Sequence, residues 1–467
     1  MGAGGNAATP ARLSVATKIV YGIGDHTVNL VLSAASLLYL AFLTQIGGLR
    51  PSLAGMVILI AHAVEAVTGP LMGRISDLTR WRLGRRRGYF LIAAVPFGVT
   101  FALMFTTVPA HSESARFVYY LGVYIAVSLA MTCITVPYLA LIPEMAIGYD
   151  ERSSLNTYRS AAAVLGTFAA AGMKVLVDAF GGDAAAWQRA AWMLAFWVAI
   201  PWIAVWAVSF ERSDFVRPAQ MGFVEGAKLL ARHRAFRSLA GLFLYARIAV
   251  DLIGAMFLLY FIHWIGREQD FSTTLFLFLT IVVLSLPVWL GVAQHSDKRT
   301  VFIAGTLWWA LIQIVIYFAQ PDWPRWSLFV ITGLAAIGYA VADLMPWSML
   351  GEVIDEDELA TGERREGVYV GFFLFLRKIG GGIGVAGIGF ALDLCGFDGS
   401  LPRDQQAPLA LAAIRVSTSL VPAFFLVLAV AVALGYPLDR AAHARILEAI
   451  GRRAAVGGAS GGQPGLH

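Results

Sequence analysis

Glu65 is the residue in this sequence whose type and setting most directly suggest chemistry. It lies in the stretch PSLAGMVILIAHAVEAVTGPLMGRISDLTRWRLGRRRG, residues 51–88, as a lone carboxylate in the middle of an apolar run, with Gly69 and Pro70 just after it. An ionisable group at membrane depth is costly and by default faces a pathway or a partner. Low dielectric disfavours a bare negative charge, which suits a carboxylate that takes up and releases a proton. Glu65 is therefore the expected coupling group, a permanent ion pair with Lys378 or Arg159 being the alternative. The same stretch ends in Arg74, Arg80, Arg82, Arg85, Arg86 and Arg87 around Asp77, and retained positive charge marks a cytoplasmic loop.

Other charged residues also fall inside apolar segments. Asp25 and Asn29 are four apart in YGIGDHTVN, hence on one helix face. Asp25 fits either a substrate or proton site or a solvated place near the end of its span. Arg247 and Asp251 are likewise four apart, and that pair, together with Asp343 and Arg377, is expected to form fixed intramembrane salt bridges. His26 and His263 are expected to be packed residues. Most tryptophans fit interfacial belts; Trp347, beside Pro346, is the candidate for stacking on a solute.

The elements that position these residues follow from composition. The chain has 467 residues, 58% of them hydrophobic and 14% charged, with a mean hydropathy of +0.70. Charged residues make up roughly a quarter of a soluble protein, so this composition belongs to a polytopic membrane protein. At about 20 apolar residues per span, the sequence predicts an all-α integral membrane fold of twelve transmembrane helices in two six-helix halves. The expected boundaries are a disordered tail over 1–15, a first half over 16–210, a central cytoplasmic loop over 211–236, a second half over 237–438 and a cytoplasmic tail over 439–467. In the central loop, FVEGAKLLARHRAF sets Lys228 and Arg232 on one face and apolar residues on another, as in a helix lying at a membrane surface. The tail is expected to be amphipathic to about Arg453 and disordered beyond it.

The net charge of +5 does not indicate nucleic acid, because the basic residues collect in alternate loops and place both termini in the cytoplasm. With two cysteines, Cys133 and Cys395, a structural disulfide is not expected. The first 15 residues lack the regions of a cleavable signal peptide. The halves echo each other: PLMGRISD with PVWLGVAQHSD, and PYLALIPE with PWSMLGEVID. Repeated halves around a midplane site are what alternating-access transporters use.

These pieces, with DERSSLNTYRS, GERREGVYVGFFLFLRKIGG and YPLDRAAHARI, identify a resemblance over roughly residues 15–450 to the glycoside-pentoside-hexuronide:cation symporters, the melibiose-permease group of the major facilitator superfamily. The resemblance implies a gating loop in which Gly73, Asp77, Arg80, Gly84, Arg85 and Arg86 hold the inner ends of two spans together. It also implies a cation-coupling region at Glu65, Asn29 and Thr135, and solute contacts at Asp25, Asn29, Arg159, Trp347 and Lys378. Where sodium-coupled members carry two acids four apart, this chain has Glu65 and Gly69. Asn29 and Thr135 align with the acids of spans 1 and 4, and Leu139 with a sugar-stacking aromatic, whereas the basic positions persist as Arg159 and Lys378.

The sequence reading is therefore a secondary transporter, active as a monomer in a bacterial inner membrane, that symports a small oxygen-rich or anionic solute such as a sugar, glycoside or uronate. The expected coupling ion is a proton in preference to sodium, for which Glu65 would be the ligand; no other metal or cofactor is expected. The alternatives are a lysophospholipid or other amphiphile symporter and a non-transporting receptor or assembly partner. An enzyme is not expected, since no metal-ligand motif or nucleophile elbow occurs and GGGIG lacks the strand-loop-helix setting of a dinucleotide site.

Overall fold

In hydrocarbon every backbone polar group must be satisfied within its own segment, so apolar runs of bilayer length become helices. The computed structural model describes residues 12–109, 112–147, 149–212 and 223–460. Within them the chain is helical throughout, with no strand. The first helices are α1 (Val15–Gln45), α2 (Pro51–Leu78), α3 (Gly88–Met104), α4 (Glu113–Met145), α5 (Tyr149–Ala179), α6 (Ala184–Ala199), α7 (Pro201–Val208) and α8 (Phe223–Arg232). They are followed by α9 (Arg234–Leu259), α10 (Phe271–His295), α11 (Lys298–Tyr317), α12 (Arg325–Thr361), α13 (Glu366–Leu394), α14 (Pro408–Thr418), α15 (Leu420–Leu434) and α16 (Arg440–Ser460).

Eleven of the described helical stretches are long and apolar enough to cross a membrane, with α6–α7 and α14–α15 each counting as one. The 17-residue α3 supplies a shorter twelfth. Pro201 starts α7 and divides the sixth span; a break at Ser419 divides the last. The seventh span closes in a π-helical turn, Tyr260–Ile265, ended by Gly266 at φ 72°.

The chain forms two compact units, Met1–Pro218 with Val385–Ala410, and Ala219–Gly384 with Leu411–His467. The end of α13 thus packs with the first unit. Small residues permit it: a Cβ on Gly55 would come within 2.8 Å of the Ala386 backbone, and Gly389 lies against the Pro51 carbonyl. Ser52 Oγ donates to Asp393. Elsewhere in this unit α1 packs chiefly on α5, with Gly166 against the His26 carbonyl. The second unit is built on α9, α12 and α13, where Phe243 and Phe373 stack at 3.8 Å among buried Met345, Met349 and Val353.

The ends of the chain partly revise the expected boundaries. Residues 1–11 of the expected tail lie outside the described residues, and α1 begins at Val15 because Ser14 Oγ accepts the Thr17 N–H and caps it. The central loop contains α8, with Leu230 buried and Lys228 and Arg232 exposed; residues 213–222 lie outside the described set. The tail does not lose its structure after Arg453, since α16 continues to Ser460. Its first half is anchored by buried Ile446 and by His443 Nε2, 2.9 Å from Asp355, and an anchored helix propagates at low cost once nucleated.

Candidate functional site

The first unit presents Glu65 near the middle of α2, with 7% of its surface exposed. Pro70 removes one N–H from the helix ladder at the next turn, and Thr68 Oγ1 donates to the Glu65 carbonyl at 3.3 Å. A side chain at Gly69 would meet nothing within 4 Å. The position that would carry a second acid therefore faces open volume. One turn before Glu65, His62 Nε2 lies 3.3 Å from Tyr124 Oη on α4. Thr135, also on α4, is half-buried. Asn29 donates to the Asp25 carbonyl of its own helix at 2.8 Å, which fixes its amide on α1.

Asp25 does not occupy a solvated helix end. It accepts from Arg159 Nε at 2.6 Å and Nη2 at 3.2 Å and from Tyr138 Oη at 2.8 Å. Tyr138 stacks on Tyr21 with ring centroids 4.4 Å apart, and the Arg159 guanidinium sits 5.1 Å over its ring. Asn156 takes a further Arg159 N–H at 2.7 Å. The alternative that Arg159 is Glu65's permanent partner is thus corrected: its charge is committed to Asp25. Gly24 makes this packing possible, as a Cβ there would come 3.0 Å from both Tyr138 and Trp202.

The second unit holds another charged cluster at mid-helix. Arg247 Nε donates to Asp251 Oδ2 at 3.1 Å and a second bond joins Nη2 to Oδ1, while Nη1 reaches Asp343 Oδ1 at 3.4 Å. The expected Asp343–Arg377 pair is replaced by Asp343–Arg247, because Arg247 on α9 lies between the two acids. Gly381 of α13 makes room for Asp251, whose carboxylate lies where a Cβ would stand. Trp347 packs edge-on against Phe243 and Phe373, at 5.8 and 5.1 Å, and is half-buried, as is Lys378 on α13.

The arginine-rich turn between α2 and α3 forms a third arrangement. Arg86 is buried and binds Asp77 Oδ1 at 2.7 Å, the Ala140 carbonyl at 2.8 Å and Glu144 Oε1. Arg85 Nη2 reaches the same Glu144 oxygen at 2.9 Å. Glu211, just after α7, accepts the backbone N–H groups of Arg85, Arg86 and Arg87 at 2.8, 2.7 and 2.9 Å. Gly84 has φ 106°, and a Cβ there would stand 2.8 Å from Glu211 Oε1. The turn thus ties the ends of α2, α3, α4 and α7 together. Arg80 is exposed and makes no hydrogen bond or ion pair among the described residues, and a Cβ on Gly73 would stand 3.8 Å from Val136, in ordinary contact.

The sequence reading missed Tyr138, Glu144, Glu211 and the His62–Tyr124 contact. Glu144 and Tyr138 stand in PYLALIPE, which the repeat comparison singled out, whereas Glu211 carries no local signal. Among the described residues no group of three His, Cys, Asp or Glu is placed to hold a metal ion.

Charges at mid-helix inside apolar bundles pair with one another or mark a pathway through the membrane. A profile of the family described as MFS/sugar transport protein matches residues 20–440, and the chain belongs to that family. It is 26% identical over 450 residues to the glucuronide carrier protein homolog of Escherichia coli (strain K12), covering 95% of this chain and 97% of that one. It is 24% identical over 468 residues to the sodium-dependent lysophosphatidylcholine symporter 1-B of Danio rerio, covering 92% and 88%. Among solved structures, a bacterial homologue of the human lysosomal transporter Spinster superposes with a TM-score of 0.69 at 13% identity, over 94% of this chain and 99% of the other. That likeness concerns the fold.

Proposed function

We propose that the protein is a proton-coupled symporter of a small oxygen-rich or anionic solute, of the sugar, glycoside or uronate class, working by alternating access with both termini in the cytoplasm. The observation that carries the reading is Glu65, buried at mid-span beside a Gly69 position that faces open volume. One carboxylate can carry a proton. A sodium ion needs several oxygen ligands, and the position that would add a second carboxylate beside Glu65 is Gly69. Glucuronide as solute is supported by the Escherichia coli relative.

The test is uptake of methyl β-D-glucuronide into proteoliposomes under an inward proton gradient, with and without sodium. The wild type is expected to accumulate it in response to the proton gradient, and Glu65→Gln to retain exchange but lose that response. Accumulation that follows sodium and ignores the proton gradient, or an E65Q variant as gradient-sensitive as the wild type, overturns the reading.

A second reading, symport of a lysophospholipid, draws on the Danio rerio relative and on the apolar Leu139, 46% exposed where a sugar-stacking aromatic would be expected. Uptake of lysophosphatidylcholine in place of the glucuronide would favour it.

A further inference from the structure

The charged cluster of the second unit is balanced in charge but not in hydrogen bonds. Arg247 takes both acids, Asp251 through two bonds and Asp343 through one. Arg377 shares the electrostatic environment of Arg247, Asp251, Asp343 and Tyr339. Its placement follows from the helix: Gly381, against which the Asp251 carboxylate lies, is four residues on and so on the same face of α13. Arg377 is half-buried and makes no hydrogen bond or ion pair among the described residues. A guanidinium carries five N–H donors in a planar fork and cannot shed its charge. None of its nitrogens is among the side-chain atoms buried without a partner, so the fork is open to an incoming group, and an anionic oxygen pair is the chemistry that matches it best.

We infer that Arg377 is the anion-selecting residue of the transport site, receiving a carboxylate or phosphate oxygen pair of the solute. The inference rests on the carrier reading above and narrows its solute to a monoanion. Arg247 holds the two aspartates and keeps them from closing on Arg377. Asp343, with its side chain 43% exposed and a single 3.4 Å bond to Arg247, is the more loosely held acid, and its charge opposes an incoming anion.

The experiment compares two matched pairs of probes by thermal stabilisation of the detergent-purified protein: methyl β-D-glucuronide against methyl β-D-glucoside, and lysophosphatidylglycerol against monoacylglycerol. A ligand that binds only the folded state raises the midpoint by mass action. The wild type is expected to prefer the anionic member of one pair on the order of 10- to 100-fold, the effect of a charge-assisted hydrogen-bonded pair. The pair that responds identifies the source of the anion. Arg377→Gln should abolish the preference while leaving the neutral member's binding in place, and Arg377→Lys should retain part of it. Asp343→Asn, which removes the opposing charge, should raise anion affinity; it provides the readout if R377Q does not fold.

No anion preference in the wild type for either pair, or a preference that survives R377Q, overturns the inference. So does anion affinity that falls in D343N. Proton-driven uptake of a neutral solute with no anion preference would leave the carrier reading standing and remove this one alone, whereas absence of uptake with an Arg377-dependent anion preference would do the reverse.

Discussion

The Arg86–Glu144 pair gives the sharpest quantitative expectation. Both side chains are withdrawn from solvent, at 1% and 0% exposure, whereas Asp77 and Arg85, which share the pair, are each 33% exposed. Removing one member of a buried pair costs about 3–5 kcal/mol, because the other charge stays behind unmatched. An ion pair partly open to solvent is worth about 1 kcal/mol or less. Glu144→Met should therefore destabilise the protein by about 3–5 kcal/mol, and Asp77→Asn and Arg85→Gln by about 1 kcal/mol each. At roughly 2–4 °C per kcal/mol for folding units of this size, E144M should lower the midpoint of thermal unfolding in detergent by on the order of 10 °C. Replacing both partners removes the buried charges together and is often nearly neutral, so Glu144→Met with Arg86→Met should recover most of the loss. A double variant as unstable as the sum of the single ones refutes the argument. So does D77N costing as much as E144M, which would place the stabilisation at the exposed edge of the cluster.

Two glycine comparisons test the packing that positions the charged groups. Gly84→Ala meets both a left-handed backbone, φ 106°, and Glu211 Oε1 2.8 Å from the new Cβ, and should cost about 1–3 kcal/mol. Gly181→Ala has a similar φ of 110° but open space; equal midpoints for the two variants would mean that the Glu211 clasp adds nothing. Gly381→Ala drives a methyl into the Asp251 carboxylate, while at Gly387 of the same helix a Cβ meets nothing within 4 Å. G381A should lower the unfolding midpoint and G387A should leave it level or raise it, by up to about 1 kcal/mol of helix propensity; the reverse order would contradict the placement of Asp251.

What could be read in the sequence is what hydrocarbon imposes on every residue of a span. Length and apolarity alone locate α1, α2, α4 and the other long spans, and the arginines around Asp77 mark their own turn. The mid-span position of Glu65 was legible because a single carboxylate in an apolar run is conspicuous whatever surrounds it. Choice of partner was not legible. Arg159 pairs with Asp25, and Asp343 with Arg247, because of the rotation of α1 against α5 and of α9 against α12. Residue spacing within one helix carries no information about that rotation. Glu144 and Glu211 were hidden for the same reason: each is an unremarkable acid near a helix end until the α2–α3 turn folds onto it. The extension of α16 past Arg453 was hidden by Gly457 and Gly458, which argue locally against a helix that upstream anchoring sustains.

The two mid-helix clusters use the same residue types to different ends. In the first unit one aspartate faces one arginine, and Tyr138 and Asn156 take up further donors and acceptors, so the group is matched in charge and in hydrogen bonds. In the second unit two aspartates face two arginines, yet Arg247 takes both acids and Arg377 keeps its donors. Charge balance matters to what those donors accept. An excess of acid would repel an anionic solute, and an excess of base would hold it too tightly to release. A balanced cluster with unspent donors binds an anion through geometry and lets it leave. If the solute were a neutral sugar, the same donors would be met by hydroxyls, and R377Q would weaken the glucoside and the glucuronide alike. Equal losses for the two probes would therefore make Arg377 a general hydrogen-bonding group, and a loss confined to the glucuronide would make it the residue that reads charge.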